Sequence, residues 1–264
     1  MNIGIIGMGH LGKATLTGLL RSGTAPENLI VTARTEEAQK ALEENYPGVA
    51  VTTDNRDAAL KADTVIIILR PQDAAGVLGE LKGLDFSDKT IISFMAGIRI
   101  SDIRGMLGDD QSGYRILRMM PNLGISLCKG VIGVSCDEGS NGTVHVPDIF
   151  RKLGYLVRLP EDKLENITVC AASGLGFAAY IMKQYTDACC KLFADETVSD
   201  EITRRVFETA IDMVRNDNSS FDRLVEQIST WGGTTEAGIN VLKGSELGNT
   251  MDECFDAALA RVRK

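Results

Sequence analysis

Three glycines spaced as Gly7-x-Gly9-x-x-Gly12 follow the apolar run "IGII" and open a helix-like segment. Residues of that kind in that order suit one task, the holding of a pyrophosphate. The first glycine permits a tight turn, the second lets a phosphate reach the backbone, and the third lets helix and strand pack closely. The helix start then offers unpaired amides and the positive end of its dipole to the anion. Gly7, Gly9, His10, Leu11 and Gly12 are therefore the first candidate cofactor-binding residues. His10 reads as a helix-start residue near the phosphates, not as a catalytic acid. A second small-residue helix opening lies far downstream in "STWGGTTEAG", residues 229–238. There Gly232 and Gly233 precede Thr234 and Thr235, either of which suits an N-cap, and Ala237, Val241 and Leu242 give the following helix an apolar face. Such a start favours an anion, and the glycines let a carboxylate approach the backbone. The front loop reads as the seat of a cofactor and the rear one as the seat of what that cofactor acts upon.

The elements that must position these loops fall into two rhythms. Up to about residue 160, short Ile- and Val-rich runs ("IGIIG", "LIVTA", "TVIIIL", "TIISF", "RILRM", "VIGVS", "YLVRL") have the length and composition of strands buried on both faces. Amphipathic segments such as "TEEAQKALEENY" and "QDAAGVLGELKG" separate the early ones. This β-α-β-α order predicts an α/β fold: a parallel sheet with helices on both faces, of the Rossmann dinucleotide-binding type, over residues 1–160. From residue 161 to 264 the strand signals stop. The stretch "ENITVCAASGLGFAAYIMKQYTDACCKLFADE" reads as one long helix, apolar nearly all round in its first half and therefore buried on every face. "SDEITRRVFETAIDMVRN" reads as a helix capped by Ser199 or Asp200. An all-helical half with such a helix needs a partner surface, and a second copy of the chain is the favoured one. The longest uncharged apolar run, Ile167 to Met182, is shorter than the roughly 20 residues of a membrane span.

Ligands of an open α/β sheet lie off the carboxyl ends of its strands. The second strand ends in Arg34 and Thr35, where an acidic residue would hold the ribose hydroxyl of NAD. A guanidinium instead suits a 2′-phosphate, so the sequence favours NADPH, with NADH as the alternative. Asn55 follows "VTTD"; Arg70 and Pro71 end the third strand's run, Met95, Ala96 and Gly97 the fourth's, and Asn122 the fifth's. All stand where a nicotinamide or its ribose would lie.

Composition narrows the rest. A net charge of −8 opposes a nucleic-acid surface. The six cysteines include no C-x-x-C pair and read as free thiols of a reducing, cytoplasmic compartment. Two histidines, His10 and His145, lack ligand spacing, and no metal site is expected. The chain begins directly with a strand signal and shows no basic leader.

The stretches "VTTDN", "RPQD", "MAG", "MPN", "ASGLG" and "GGTTEAGINVL", taken with the glycine-rich opening, resemble the pyrroline-5-carboxylate reductase family in order and spacing over essentially the whole chain. The resemblance implies a Rossmann domain followed by a helical dimerisation domain, and a homodimer or higher homo-oligomer. It also implies NADPH-dependent reduction of 1-pyrroline-5-carboxylate to L-proline. It implies that Thr235 hydrogen-bonds the ring nitrogen of the imino acid and that Thr230 lies near its carboxylate. Gly232, Gly233, Thr234, Ser173 and Asn122 complete the implied substrate site. The chain departs from the family pattern at Leu123-Gly124, Leu175, Phe177 and Trp231, all where the substrate would lie. A related imine or carbonyl-acid reductase, and a non-catalytic dinucleotide-binding paralogue, therefore remain as alternatives. Trp231 either shapes the pocket or fills a core.

Overall fold

Isoleucine and valine runs become strands here because helices cover both of their faces. The computed structural model describes residues 1–108, 114–136 and 146–262. Among these residues eight strands form one sheet: β1 (Ile3–Ile6), β2 (Leu29–Thr32), β3 (Ala50–Thr52), β4 (Thr64–Ile67), β5 (Thr90–Ser93), β6 (Arg115–Pro121), β7 (Gly130–Cys136) and β8 (Gly154–Arg158). Every residue of β1, β2 and β4 is buried. The strand order is β3-β2-β1-β4-β5-β6-β7-β8. It reverses on the two sides of β1, which places a ligand crevice beyond the carboxyl ends of β1 and β4.

The sheet is parallel through β6, with Ile5 opposite both Val31 and Ile66. It departs from the all-parallel expectation at β7, which runs antiparallel to β6 with Met119 opposite Val134. Only a 3-10 turn, Leu123–Leu127, lies between those two strands. So short a link cannot carry the crossover that a parallel pair requires. The three-residue strand β3 escaped the sequence reading because none of its residues is buried and it is too short to show a period.

Alternation along the strands makes two apolar layers. Ile5, Val31, Ile66, Ile92 and Leu117 pack with Leu16, Leu19 and Phe150 on one face. Ile6, Val65, Ile67, Ile91 and Ile116 pack with Leu78, Phe86 and Ile103 on the other. Each such side chain contributes about 1.5–3 kcal/mol when fully buried. The covering helices are α1 (His10–Arg21), α2 (Glu36–Asn45), α3 (Asn55–Lys61), α4 (Pro71–Glu80), α5 (Ile100–Leu107) and α6 (Asp148–Arg151). Then follow α7 (Leu164–Ile167), a π-helical turn at Thr168–Ser173, α8 (Gly174–Phe193), α9 (Glu196–Asn216), α10 (Phe221–Ile228), α11 (Thr234–Lys243) and α12 (Leu247–Val262).

The chain divides into two compact units, one of residues 1–173 with the end of α12 from Leu259, the other Gly174–Ala258. In the second unit α8 and α9 pack through the edge-on pair Tyr185–Phe207, 5.5 Å between ring centres, and through a 2.9 Å bond between the Thr186 and Thr203 hydroxyls. Phe177 stacks against Phe255 at 5.6 Å.

The predicted single long helix is interrupted by the π-turn, where a helix widens locally. Nor does α8 bury its faces: none of its residues is buried within one chain, and Tyr180, Ile181 and Leu192 are exposed. By length and mean hydropathy of 1.3 the run Glu161–Phe193 resembles a membrane span, yet it contains that turn and carries Lys183 paired to Asp187 at 2.5 Å. The cap of α9 is Asp195, not Ser199 or Asp200. The Asp195 carboxylate accepts from the Val198 amide at 3.0 Å, and Ser199 is already inside the helix, donating to the Asp195 carbonyl at 2.7 Å. The cap of α11 is Gly233, so Thr234 and Thr235 occupy its first two positions.

A Cβ at Gly12 would overlap the Gly7 carbonyl oxygen, and the third glycine of the loop is thus sterically required. Gly12→Ala is predicted to destabilise the N-terminal unit by about 1–3 kcal/mol through overpacking. Thermal unfolding checks this, and an unshifted transition would contradict the packing described.

Candidate functional site

The front loop leaves β1 at Gly7, whose φ of 108° belongs to the left-handed half of backbone space. A side chain there would collide with the Ile68 carbonyl of the neighbouring strand end. The Gly7 amide donates to Thr32 Oγ1 at 3.3 Å, tying the ends of β1 and β2 together. Gly9, the N-cap of α1, has open space where a Cβ would stand. The loop thus presents bare backbone and the start of α1 to a cleft of about 1010 Å³. That volume reaches the upper end of ordinary ligand sites, as an extended dinucleotide needs.

Of the residues read from the sequence, Gly7, Gly9, Arg34, Asn55 and Arg70 line this cleft. His10 and Leu11 begin α1 beside it, and Gly12 acts through packing. Thr35 caps α2, its hydroxyl accepting from the Ala38 amide at 3.2 Å, and Pro71 occupies the first position of α4. Asn55 turns its amide to Glu80, 2.8 Å away. Sequence reasoning missed Lys13, one turn into α1, and also Tyr46 and Thr53, which line the same cleft. Lys13 was discoverable by helical spacing from Gly9; Tyr46 and Thr53 lie in irregular segments that carry no such signal.

Arg34 and Arg70 share a single carboxylate. Arg34 Nη2 lies 3.1 Å and Arg70 Nε 3.0 Å from the same Asp73 oxygen. The Arg70 hydrogen bond, its charge and then Arg34 hold the Asp73 carboxyl below the ordinary range, against a smaller opposing effect of desolvation. Two guanidiniums with one carboxylate leave a net positive charge at the end of β2, suited to a phosphate monoester. Glu37 is held anionic by its own backbone amide and the Thr35 hydroxyl, in the first turn of α2.

Met95, Ala96 and Gly97 follow β5 outside the lining of that cleft. Met95 is fully buried, and its amide donates to the buried Ser93 hydroxyl at 3.2 Å. Asn122 is buried at the end of β6: its carbonyl oxygen accepts from the Gly124 and Val131 amides, and its amide donates to the Ala171 carbonyl at 3.1 Å. Ser173 closes the π-turn that Ala171 belongs to. A second cavity, of about 600 Å³, lies between α5 and the β7–β8 edge and contains none of the dinucleotide motif.

In the second unit the rear loop is a tight turn. Gly233 donates to the Thr230 carbonyl at 2.9 Å, and the Thr230 hydroxyl sits where a Gly233 Cβ would stand, 2.6 Å away. The Gly232 amide donates to the Glu236 carboxylate at 2.8 Å, so the helix start already holds one internal anion. Thr235 is half-buried. Trp231 is 95% exposed, so it fills no core within the single chain. Among the described residues no cluster of His, Cys, Asp and Glu suits a metal.

Comparison with known proteins adds to this geometry. A family model described as NADP oxidoreductase, coenzyme F420-dependent, matches residues 2–97, and the pyrroline-5-carboxylate reductase dimerisation model matches residues 161–264. The pyrroline-5-carboxylate reductases of Staphylococcus saprophyticus and Haemophilus influenzae are 29% and 28% identical, each match covering 99% of this chain and 96% of the relative. The solved pyrroline-5-carboxylate reductase of Coxiella burnetii superposes with a TM-score of 0.85 at 29% identity, over 99% of this chain and 97% of that one. A Plasmodium falciparum pyrroline carboxylate reductase with NADP bound gives 0.86 at 21% identity, over 100% and 97%.

Arg34→Ala is predicted to lower kcat/KM with NADPH by about tenfold while leaving NADH nearly unchanged. Asp73→Asn, which removes the carboxylate competing for both guanidiniums, is predicted to lower the Michaelis constant for NADPH. Steady-state assays with the two cofactors check both, and equal effects on NADH and NADPH would contradict a 2′-phosphate at this cluster.

Proposed function

We propose, from the premise that this chain belongs to the pyrroline-5-carboxylate reductase family, that it reduces 1-pyrroline-5-carboxylate to L-proline with NADPH. The observation that carries the reading is the full-length match to enzymes of that name by a chain that keeps both the Gly7–Gly12 cleft and the Gly233–Thr235 helix start. The amides of the front loop and of the start of α1 hold the pyrophosphate. Arg34 holds the 2′-phosphate; Arg70, placed by the sequence near the nicotinamide or its ribose, shares Asp73 with Arg34 and joins it there, with Lys13 adding positive charge one turn along α1. Met95, Ala96 and Gly97 support the nicotinamide end.

When bound, NADPH supplies the hydride that adds to the imine carbon. The chain supplies position and charge complementarity. The amides at the start of α11, with Thr230, Gly232 and Gly233 beside them, hold the substrate carboxylate. The Thr235 hydroxyl oxygen accepts from the N–H of the protonated ring nitrogen, which favours the iminium form and makes its ring carbon more electrophilic. The nitrogen keeps a proton that comes from solvent.

Homodimerisation through the helical half covers the apolar surface that α8 exposes in one chain. On this reading the hydrophobic run Glu161–Phe193 lies in a subunit interface, and the protein works in the cytoplasm. An acidic chain of net charge −8 has no call for nucleic acid. The domain assignment is 1–160 for cofactor and 161–264 for substrate binding and dimerisation.

Purified protein given NADPH and a panel of cyclic imino acids tests the substrate. Cofactor oxidation with the five-membered ring is the expected result; oxidation only with another ring, or binding without turnover, would favour the two alternatives. Thr235→Val is predicted to lower kcat by about 10- to 100-fold through loss of a hydrogen bond that strengthens in the transition state. NADPH affinity should be unchanged, and wild-type turnover would refute the role.

A further inference from the structure

The face of β6 that carries Ile116 also carries an arginine, and its burial has no counterpart among the described residues. Arg118 is 1% exposed. Its Nη1 donates to Glu161 Oε1 at 3.1 Å, and its Nη2 donates to Glu165 Oε1 at 2.8 Å and to the Met95 carbonyl at 3.4 Å. The same Glu161 oxygen accepts from the Ile100 amide at 2.8 Å, at the start of α5. Arg118 stands opposite Ser93 in the strand register, and the Ser93 hydroxyl accepts from the Met95 amide. The N–H and the C=O of Met95 are therefore each bonded by a side chain from one of two paired strand positions, the N–H by the Ser93 hydroxyl and the C=O by the Arg118 guanidinium. Arg118 Nε is itself buried and has no protein partner.

A buried guanidinium is tolerated only when charge and hydrogen bonds are both supplied. Here two carboxylates supply the charge, and the planar fork fixes where each acceptor must lie. The segment after β5 is thus referred to one rigid cation, as is the stretch from Glu161 through α7. A lysine would keep the charge, but its three donors fan out from one nitrogen and do not match acceptors placed around a planar fork.

We propose that Arg118 is a positioning residue for hydride transfer: through the Met95 carbonyl it sets the Met95–Gly97 turn on which the redox end of the dinucleotide rests. The inference rests on the assignment of that turn to the nicotinamide under the proposed function. Arg118 itself touches neither cofactor nor substrate. Its role predicts that the two ends of the cofactor respond differently to its loss.

The experiment compares binding of NADPH with binding of adenosine 2′,5′-bisphosphate, which lacks the nicotinamide, in wild type, Arg118→Lys and the triple variant Arg118→Met, Glu161→Gln, Glu165→Gln. The triple variant removes the unpaired charges that could unfold a single Arg118→Met protein. Both variants should hold the bisphosphate as the wild type does. NADPH affinity should fall severalfold, and kcat with saturating cofactor about a hundredfold, as misplacement of reacting groups by about 1 Å does. Parallel losses for the two ligands, or wild-type kcat in either folded variant, would overturn the proposal. A wild-type protein that binds both ligands but does not reduce the imine would remove the substrate assignment and leave the two-ligand comparison intact.

Discussion

Between β1 and α1 the backbone turns so tightly that a methyl group on Gly7 would overlap the Ile68 carbonyl, and a methyl on Gly12 would overlap Gly7. That double contact brings the start of α1 against the end of β1 and leaves Gly9 bare above them. Everything assigned to the cofactor is arranged around this point. The reversal of strand order at β1 opens the crevice there, Thr32 ties β2 to the turn, and β2 carries the chain into Arg34. Backbone amides hold an anion without side chains that could move, so the geometry of the sheet becomes the geometry of the binding site.

Two kinds of charge surround that backbone site and they work differently. The Arg34–Asp73–Arg70 cluster is exposed, and its attraction for a phosphate is screened and adjustable. The Arg118–Glu161–Glu165 cluster is buried, unscreened and rigid, which suits it to fixing a peptide group in place. On the proposed reading the first selects a ligand and the second holds the protein around it.

Much of this was legible in the chain. The isoleucine- and valine-rich runs, the glycine spacing and the arginine after β2 are local signals, and each landed on the element expected of it. What the sequence hid depends on distant partners. The antiparallel turn of β7 follows from a link too short for a crossover, and the π-turn at Thr168–Ser173 has no local signature. Asp195 lay just upstream of Ser199 and Asp200 and was the better-placed cap. The burial of Arg118 was invisible, since an arginine within "RILRMM" reads as the polar position of a strand until two glutamates more than forty residues away are brought to it. The all-round apolar character of α8 was legible, but the burial on every face read from it is not met within a single chain, which leaves that surface open.

As proposed, a hydride passes from NADPH to the ring carbon of a cyclic imine. NADPH deuterated at each face of its dihydronicotinamide ring in turn, incubated with the protein and 1-pyrroline-5-carboxylate, tests it most directly by mass spectrometry of the amino-acid product. Deuterium from one face is expected on the proline ring carbon that flanks the nitrogen and bears no carboxylate, where it resists exchange with solvent. Oxidation of NADPH without label in proline, from either face, would contradict it.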